Sequence, residues 1–305
     1  MDPVRLLLIS STAVVSLLLL IEWNQYSDSH KKQQSDLYAA AVLETPVTEE
    51  KSSFSAIDEG IPSVSAPVAA LTETRDQAAS FFLNTDTINL AISMDGGDIT
   101  GASLPKFPVR LDTPDQPFRL LENNALRTYV AQTGLIGPDG IDASGDRARY
   151  INQGIDVGAD GSHSLTLAWM GNDPLGLQVF KQITAYDNQY VVDVTFDIRN
   201  NSGQSVDVTS FAQLKRDNSE APDANVGFGV SPYLGAALTQ PEERYTKLAF
   251  SDLQDESFSK NLPAGWVAIL QHYFVSAWIP SQTESHDFFA SRLSNGDNVI
   301  GYKNA

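Results

Sequence analysis

Sixteen consecutive uncharged residues, Leu6 to Ile21, constrain this chain more than any other stretch. They read Leu-Leu-Leu-Ile-Ser-Ser-Thr-Ala-Val-Val-Ser-Leu-Leu-Leu-Leu-Ile, with Asp2 and Arg5 before them and Glu22 and Trp23 after. A helix over this run covers roughly 24 Å at about 1.5 Å per residue. Arg5 can snorkel, and Trp23 and Tyr26 can anchor, which extends the reach toward the roughly 30 Å core of a bilayer. The Ser and Thr hydroxyls bond back to the preceding turn and do not forbid insertion. A cleaved secretory signal would have a shorter apolar core and a small-residue cleavage site just beyond it. Here Glu-Trp-Asn-Gln-Tyr follows, and the nearest small cluster, Ala39-Ala40-Ala41, lies too far downstream. An uncleaved anchor over residues 1–26 is therefore favoured over a cleaved signal. Arg5 and the α-amino group precede the run, whereas Lys31 and Lys32 come only after Glu22 and Asp28. The positive-inside rule then keeps the N-terminus cytoplasmic and exports the rest.

Residues 27–75 are rich in Ser, Ala, Thr, Glu, Gln and Pro, with few large apolar side chains. Such a segment cannot bury enough surface to order itself and reads as a disordered periplasmic linker. Across all 305 residues the net charge is -18 and 42% of residues are hydrophobic. The apolar share suffices for a core. The acidity argues against nucleic acid, which demands clustered Lys and Arg, and against lying flat on anionic lipid. The absence of cysteine removes disulfides, thiolate nucleophiles and cysteine-ligated metal together.

From residue 76 to 305 the texture is one of short alternating runs. Thr87 to Ser93 alternates at period two and meets the turn signal Asp95-Gly96-Gly97-Asp98. Ser164 to Trp169 and Ser205 to Ser210 alternate likewise. Val179 to Tyr186, Asp187-Asn188 and Gln189 to Ile198 form a hairpin pattern with one wet face, and Asp-Asn suits a turn that needs positive φ. Phe289 to Leu293 and Asn298 to Tyr302, joined across Asn295-Gly296, predict another hairpin. Gly265 to Pro280 is apolar on both faces; a buried pair of central strands fits best, although a buried helix has the same pattern. Helical periodicity is otherwise scarce, so the expected class is mainly β, an antiparallel sandwich.

Candidate chemistry is sparse. Of the four histidines, His30 lies in the linker, His163 in a polar turn and His286 in the loop 282–287; only His272 sits among apolar neighbours, as a core-edge or interface residue. No two have zinc-ligand spacing. Asp139, Asp142 and Asp146 share a Gly-rich loop that misses the EF-hand pattern and reads as a solvated acidic loop, with weak calcium binding as the lesser alternative. No nucleophile elbow, P-loop or dinucleotide fingerprint occurs. Trp266, Tyr273, Phe274 and Trp278 could stack on a sugar but read better as core. No catalytic, cofactor-binding or metal residue is expected.

Several motifs nonetheless run in order along the chain: Met1-Asp2 with Arg5, Gly96-Gly97-Asp98, Leu104-Pro105, Pro117-Phe118-Arg119-Leu120-Leu121-Glu122, Gln132-Thr133-Gly134-Leu135 and Phe211-Ala212-Gln213-Leu214-Lys215. The most specific is Gly265-Trp266-Val267-Ala268 through Gln271, Tyr273-Phe274 and Ala277-Trp278-Ile279-Pro280; Gly301-Tyr302-Lys303 closes the set. Together they resemble the N-terminal part of the YidC membrane protein insertases of Gram-negative bacteria, with His272 where glutamine is expected.

The resemblance implies an inner-membrane protein whose first helix and tether precede a periplasmic β-supersandwich of galactose-mutarotase-like fold, truncated here at its C-terminal end. It implies a non-enzymatic role in inserting, folding and assembling membrane proteins, alone or with the Sec translocon. The partners would be nascent membrane proteins, the lipid bilayer, SecD and SecF. The inserting groove would lie among later helices. A truncated sheet would leave an open edge near Val299 to Tyr302, a pairing hazard. The competing expectation is an anchored periplasmic carbohydrate-binding or mutarotase-like protein, which would need a His and a carboxylate converging on a sugar ring; fold alone does not carry such a function.

Overall fold

Alternating apolar and polar side chains between Gly- and Asn-containing turns dictate strands, and strands make up nearly all of the regular structure. The structure, a computed structural model, describes residues 80–143, 146–171, 176–219, 233–271 and 273–304. The anchor and linker expected over residues 1–75 lie outside the described residues, as does His272. No helix among the described residues is long and apolar enough to cross a membrane.

In chain order the strands are β1 (Ser80–Asn84), β2 (Asn89–Ser93), β3 (Ile99–Pro108), β4 (Pro117–Asn123), β5 (Thr128–Ile136), β6 (Tyr150–Val157), β7 (Ser162–Trp169), β8 (Leu177–Tyr186) and β9 (Val192–Asn200). They continue with β10 (Thr209–Arg216), β11 (Leu234–Leu238) and β12 (Thr246–Ala249), one helical turn α1 (Asp252–Asp255), then β13 (Phe258–Leu262), β14 (Val267–Gln271), β15 (Phe274–Trp278), β16 (His286–Arg292) and β17 (Asn298–Asn304). Every pairing among them is antiparallel. A nine-stranded sheet has the order β1-β2-β3-β4-β5-β10-β17-β16-β13, and two four-stranded sheets have the orders β12-β11-β14-β15 and β6-β7-β8-β9. One core draws on all three sheets: Leu90, Tyr129 and Leu214 from the large one, Leu165 and Ile183 from β7 and β8, and Ala236 and Ile269 from β11 and β14.

The expected hairpins form where turn chemistry supports them. β8 and β9 pair from Ala185 opposite Val192 to Leu177 opposite Asn200, and Asn188 takes φ 60° at the turn. β16 and β17 meet through Gly296 at φ 90°. Along β8, Leu177, Val179, Lys181, Ile183 and Ala185 all point inward, so one lysine occupies an apolar phase.

Three expectations need correction. Ser205 to Val208 is not a strand; β10 begins at Thr209, and Asp207 instead exchanges backbone and side-chain hydrogen bonds with Asp139. The apolar stretch after Gly265 does form two strands, but only β14 is central. β15 is a sheet edge with Val275 exposed, and its apolarity serves aromatic contacts described below. β17 is not an open edge, because it lies between β10 and β16. The barest edge is β6, exposed over Ile151 to Val157 and interrupted by a bulge between Asn152 and Gly154.

Candidate functional site

Two buried polar centres and one aromatic rim stand out against this apolar frame. The first centre gathers around Arg147, just ahead of β6. Its Nη2 donates to Asp98 Oδ1 at 2.5 Å and to the Thr133 carbonyl at 2.7 Å, and its Nη1 donates to Asp142 Oδ1 at 2.9 Å. Asp142 also accepts from the backbone N–H groups of Leu135 and Ala148. Asp98 accepts from Gln132, which in turn accepts from Gln213 across β5 and β10. Lys181 Nζ donates to the Gly96 carbonyl at 2.8 Å and the Thr133 carbonyl at 3.2 Å. Burial pushes the Lys181 ammonium down to about 7, with Asp98 opposing and Arg147 adding to the shift. Burial also works against the charge on Arg147, but Asp98 and Asp142 outweigh it and hold that guanidinium above its ordinary value. Two carboxylates facing two cations make a balanced network that joins the turn after β2, the loop after β5 and strand β8. The close approach requires glycine at 134, where a Cβ would stand 2.5 Å from Asp142 Oδ2 and 2.6 Å from the Phe211 ring.

This corrects the expectation of a solvated acidic loop. Asp146 is exposed and Asp139 caps the chain at Asp207, but Asp142 is fully buried. Among the described residues no cluster of His, Asp and Glu could hold a metal ion.

The second centre spans one row of directly opposed residues, Glu122 on β4, Tyr129 on β5, Arg216 on β10 and Asn298 on β17. Opposed residues share a sheet face, and this face looks onto β14 and β15. Arg127 Nη2 donates to Gln271 Oε1 at 2.9 Å, and Arg216 Nη1 donates to the same oxygen. Arg127 also pairs with Glu122 at 2.9 Å. Arg216 has no carboxylate within ion-pair distance among the described residues; it bonds the Ser219 carbonyl at 3.1 Å and lies 4.9 Å from the centre of the Tyr129 ring. Burial, with Arg127 nearby, pushes Arg216 down to about 10, and burial pushes the Tyr129 phenol up to about 12. Arg127, Arg216 and Gln271 were not anticipated, because 89 and 144 residues separate Arg127 from the other two and no local spacing links them. The readable signal was a run of charged and amide side chains inside the strand pattern Phe211 to Arg216.

The aromatic rim brings the three sheets together at the surface. Phe107 lies 6.0 Å from Tyr190 and 5.7 Å edge-on from Phe274, which stacks on Phe118 at 4.1 Å. Asp86 fixes the neighbouring turn, accepting from the Asn188 N–H and from Lys106, both at 2.6 Å.

The structure does not bring Trp266, Tyr273, Phe274 and Trp278 into one platform. Trp266 sits beside Tyr245 at one end of β14, and Tyr273 is exposed at the other, about 20 Å away at strand spacing. His286 is not in a loop but opens β16, buried between Asn304 and the Ser281 carbonyl. His163 is not in a turn but at the start of β7; it does meet a carboxylate, Asp187 at 3.2 Å, and the pair ties that strand end to the turn after β8, which also donates the Asp187 N–H to the Gly161 carbonyl.

Residues 81–305 match the family model described as the YidC periplasmic domain. A membrane protein insertase YidC of Pseudomonas putida is 36% identical over 317 aligned residues, covering 99% of this chain and 54% of the relative. The protein of the same description from Azotobacter vinelandii is also 36% identical, covering 99% and 55%. The chain thus spans about half the length of the curated relatives it matches. Among solved structures, a galactose mutarotase related enzyme from Lactobacillus acidophilus superposes with a TM-score of 0.47 at 10% identity, over 74% of this chain and 85% of its own.

Proposed function

This chain belongs to the YidC periplasmic-domain family, and from that premise we propose that it is the N-terminal part of a membrane protein insertase. The observation that carries the reading is 36% identity along 99% of the chain to proteins bearing that description. In this reading residues 1–26 anchor the chain in the inner membrane, residues 27–75 tether it, and residues 76–305 form an accessory domain in the periplasm. Its clients are nascent membrane proteins. The groove that spares their polar backbone from lipid, where each unsatisfied group costs several kcal/mol, belongs to segments beyond the matched half. No covalent chemistry is needed, so the chain acts as a non-enzymatic docking and positioning module, alone or with the Sec translocon. SecD and SecF are the partners that the family resemblance points to, and the aromatic rim around Phe107 and Tyr190 is an exposed surface for such contacts. A chimera tests this. The chain replaces the matching part of the Pseudomonas putida relative in cells depleted of their own protein. Growth and client insertion are the expected outcome; a chimera that accumulates in the membrane yet inserts nothing refutes the reading.

The carbohydrate reading is weaker. Among the described residues His163 and Asp187 are the one close His–carboxylate pair, and they staple the start of β7 to the turn after β8. Calorimetry with a panel of hexoses decides it, and flat titrations remove it.

A further inference from the structure

The second polar centre has a surplus of donors. Arg127 Nε, Arg216 Nε and Gln271 Nε2 are buried without a partner, against one unpartnered acceptor in the same row, Asn298 Oδ1, while the Tyr129 and Ser276 hydroxyls lie against each other. The three nitrogens can only donate a hydrogen bond, and each hydroxyl can donate or accept. The acceptor both guanidinium groups use is a neutral amide oxygen, Gln271 Oε1. Glu122 engages Arg127, while Asp217 is occupied by the backbone N–H groups of Thr128 and Ser219. Among the described residues Arg216 faces only neutral acceptors, and a buried guanidinium so placed is costly unless an anion completes it. The first centre makes the contrast within the same molecule, since there two carboxylates face two cations and every guanidinium nitrogen of Arg147 donates. Arginine forks match oxyanions in two-point geometry.

We propose that Arg127, Arg216 and Gln271 form a binding site for a small oxyanion of the phosphate class, seated between the large sheet and the β14–β15 hairpin, with Arg216 as its main electrostatic partner. The Tyr129–Ser276 hydroxyl pair has one O–H left to donate to the same ligand. Free phosphate and the phosphate of a glycerol headgroup share this chemistry, and nothing in the site depends on the insertase reading.

The test uses the whole 305-residue chain in neutral detergent, titrated with inorganic phosphate and separately with glycerol phosphate at constant ionic strength set by chloride. The expected result is a saturable rise in thermal midpoint. A response to inorganic phosphate identifies a free-anion site. A response to glycerol phosphate alone identifies a headgroup site. A linear, unsaturated rise with either is the general salting effect of such ions and overturns the proposal, as does no rise at all. Arg216→Met should weaken half-saturation by at least tenfold, and an unchanged response also overturns the proposal. Should that variant fail to fold, Gln271→Glu serves instead. It supplies the missing negative charge from within, so it should raise the midpoint in chloride and abolish the phosphate response. A Gln271→Glu variant that still saturates with phosphate places binding elsewhere and refutes the site.

Discussion

Lys181 is where one side chain carries the most consequence. It sits in an inward phase of β8, between Val179 and Ile183, with its ammonium on the carbonyls of Gly96 and Thr133. Its folded value near 7 lies below the ordinary 10.5, so the unfolded chain holds more protons than the folded one between those limits. Stability must therefore rise with pH across that window and lose this contribution as pH falls through about 7, with a slope of at most about 1.4 kcal/mol per unit. Lys181→Met removes the titrating group. The difference in unfolding free energy between wild type and variant should grow in favour of wild type from pH 7 to pH 9, measured by urea titration. A constant difference would show that the ammonium does not titrate there. The inward lysine was visible in the alternation Val179, Lys181, Ile183, but its partners were not, since Gly96 and Thr133 lie 85 and 48 residues away. Asn188 is a second single-residue case. Asn tolerates its φ of 60° by local hydrogen bonding, where alanine pays about 1–2 kcal/mol, so Asn188→Ala should destabilise by up to about that much and Asn188→Gly by clearly less, in the same urea titrations. Equal losses would assign the effect to the side chain, whose Oδ1 accepts from Lys106 Nζ at 3.4 Å, instead of the backbone.

Elements with both a period and a turn residue were legible. The pairs β8–β9 and β16–β17 combine alternation with Asn188 and Gly296 at positive φ, and both form. Strand order was not legible, because the large sheet is assembled by β5, β10 and β17, which meet across long separations. The exposed side of β15 was missed for a related reason. On the other phase Phe274 serves the rim at Phe107 and Phe118, while Val275 and Ala277 are exposed, so hydrophobicity did not mean a central strand. The interior position of β17 makes Gly301 informative. It lies directly opposite Gln213 on one side and Phe289 on the other, and a Cβ would stand 2.7 Å and 2.8 Å from them. Gly301→Ala should cost about 1–3 kcal/mol by overpacking; an unchanged denaturation midpoint would mean the sheet yields there. The pairing hazard moves to β6, whose outer edge carries Ile151, Ile155 and Val157 and is blunted only by the bulge and Asp156. Ile155→Lys should leave the unfolding free energy within about 0.5 kcal/mol and reduce self-association in sedimentation at high concentration. Undiminished association would clear this edge.

For the molecule as a whole, charge and apolarity are segregated along the chain. The sixteen residues Leu6 to Ile21 carry no charge and are mostly aliphatic, while the whole chain carries a net charge of -18. A chain so acidic gains nothing from lying on anionic headgroups. If the run is an uncleaved anchor with its N-terminus in the cytoplasm, two measurements must agree. Alkaline extraction should leave the chain in the membrane pellet at full mass. Protease added outside intact spheroplasts should digest the region from residue 76 onward. A shortened product in the soluble periplasm would make the run a cleaved signal, leaving the folded domain without its anchor. A domain that resists protease until the cells are lysed would instead reverse the orientation. An accessory domain on that side could not meet periplasmic partners, so the insertase reading would have to be abandoned with it.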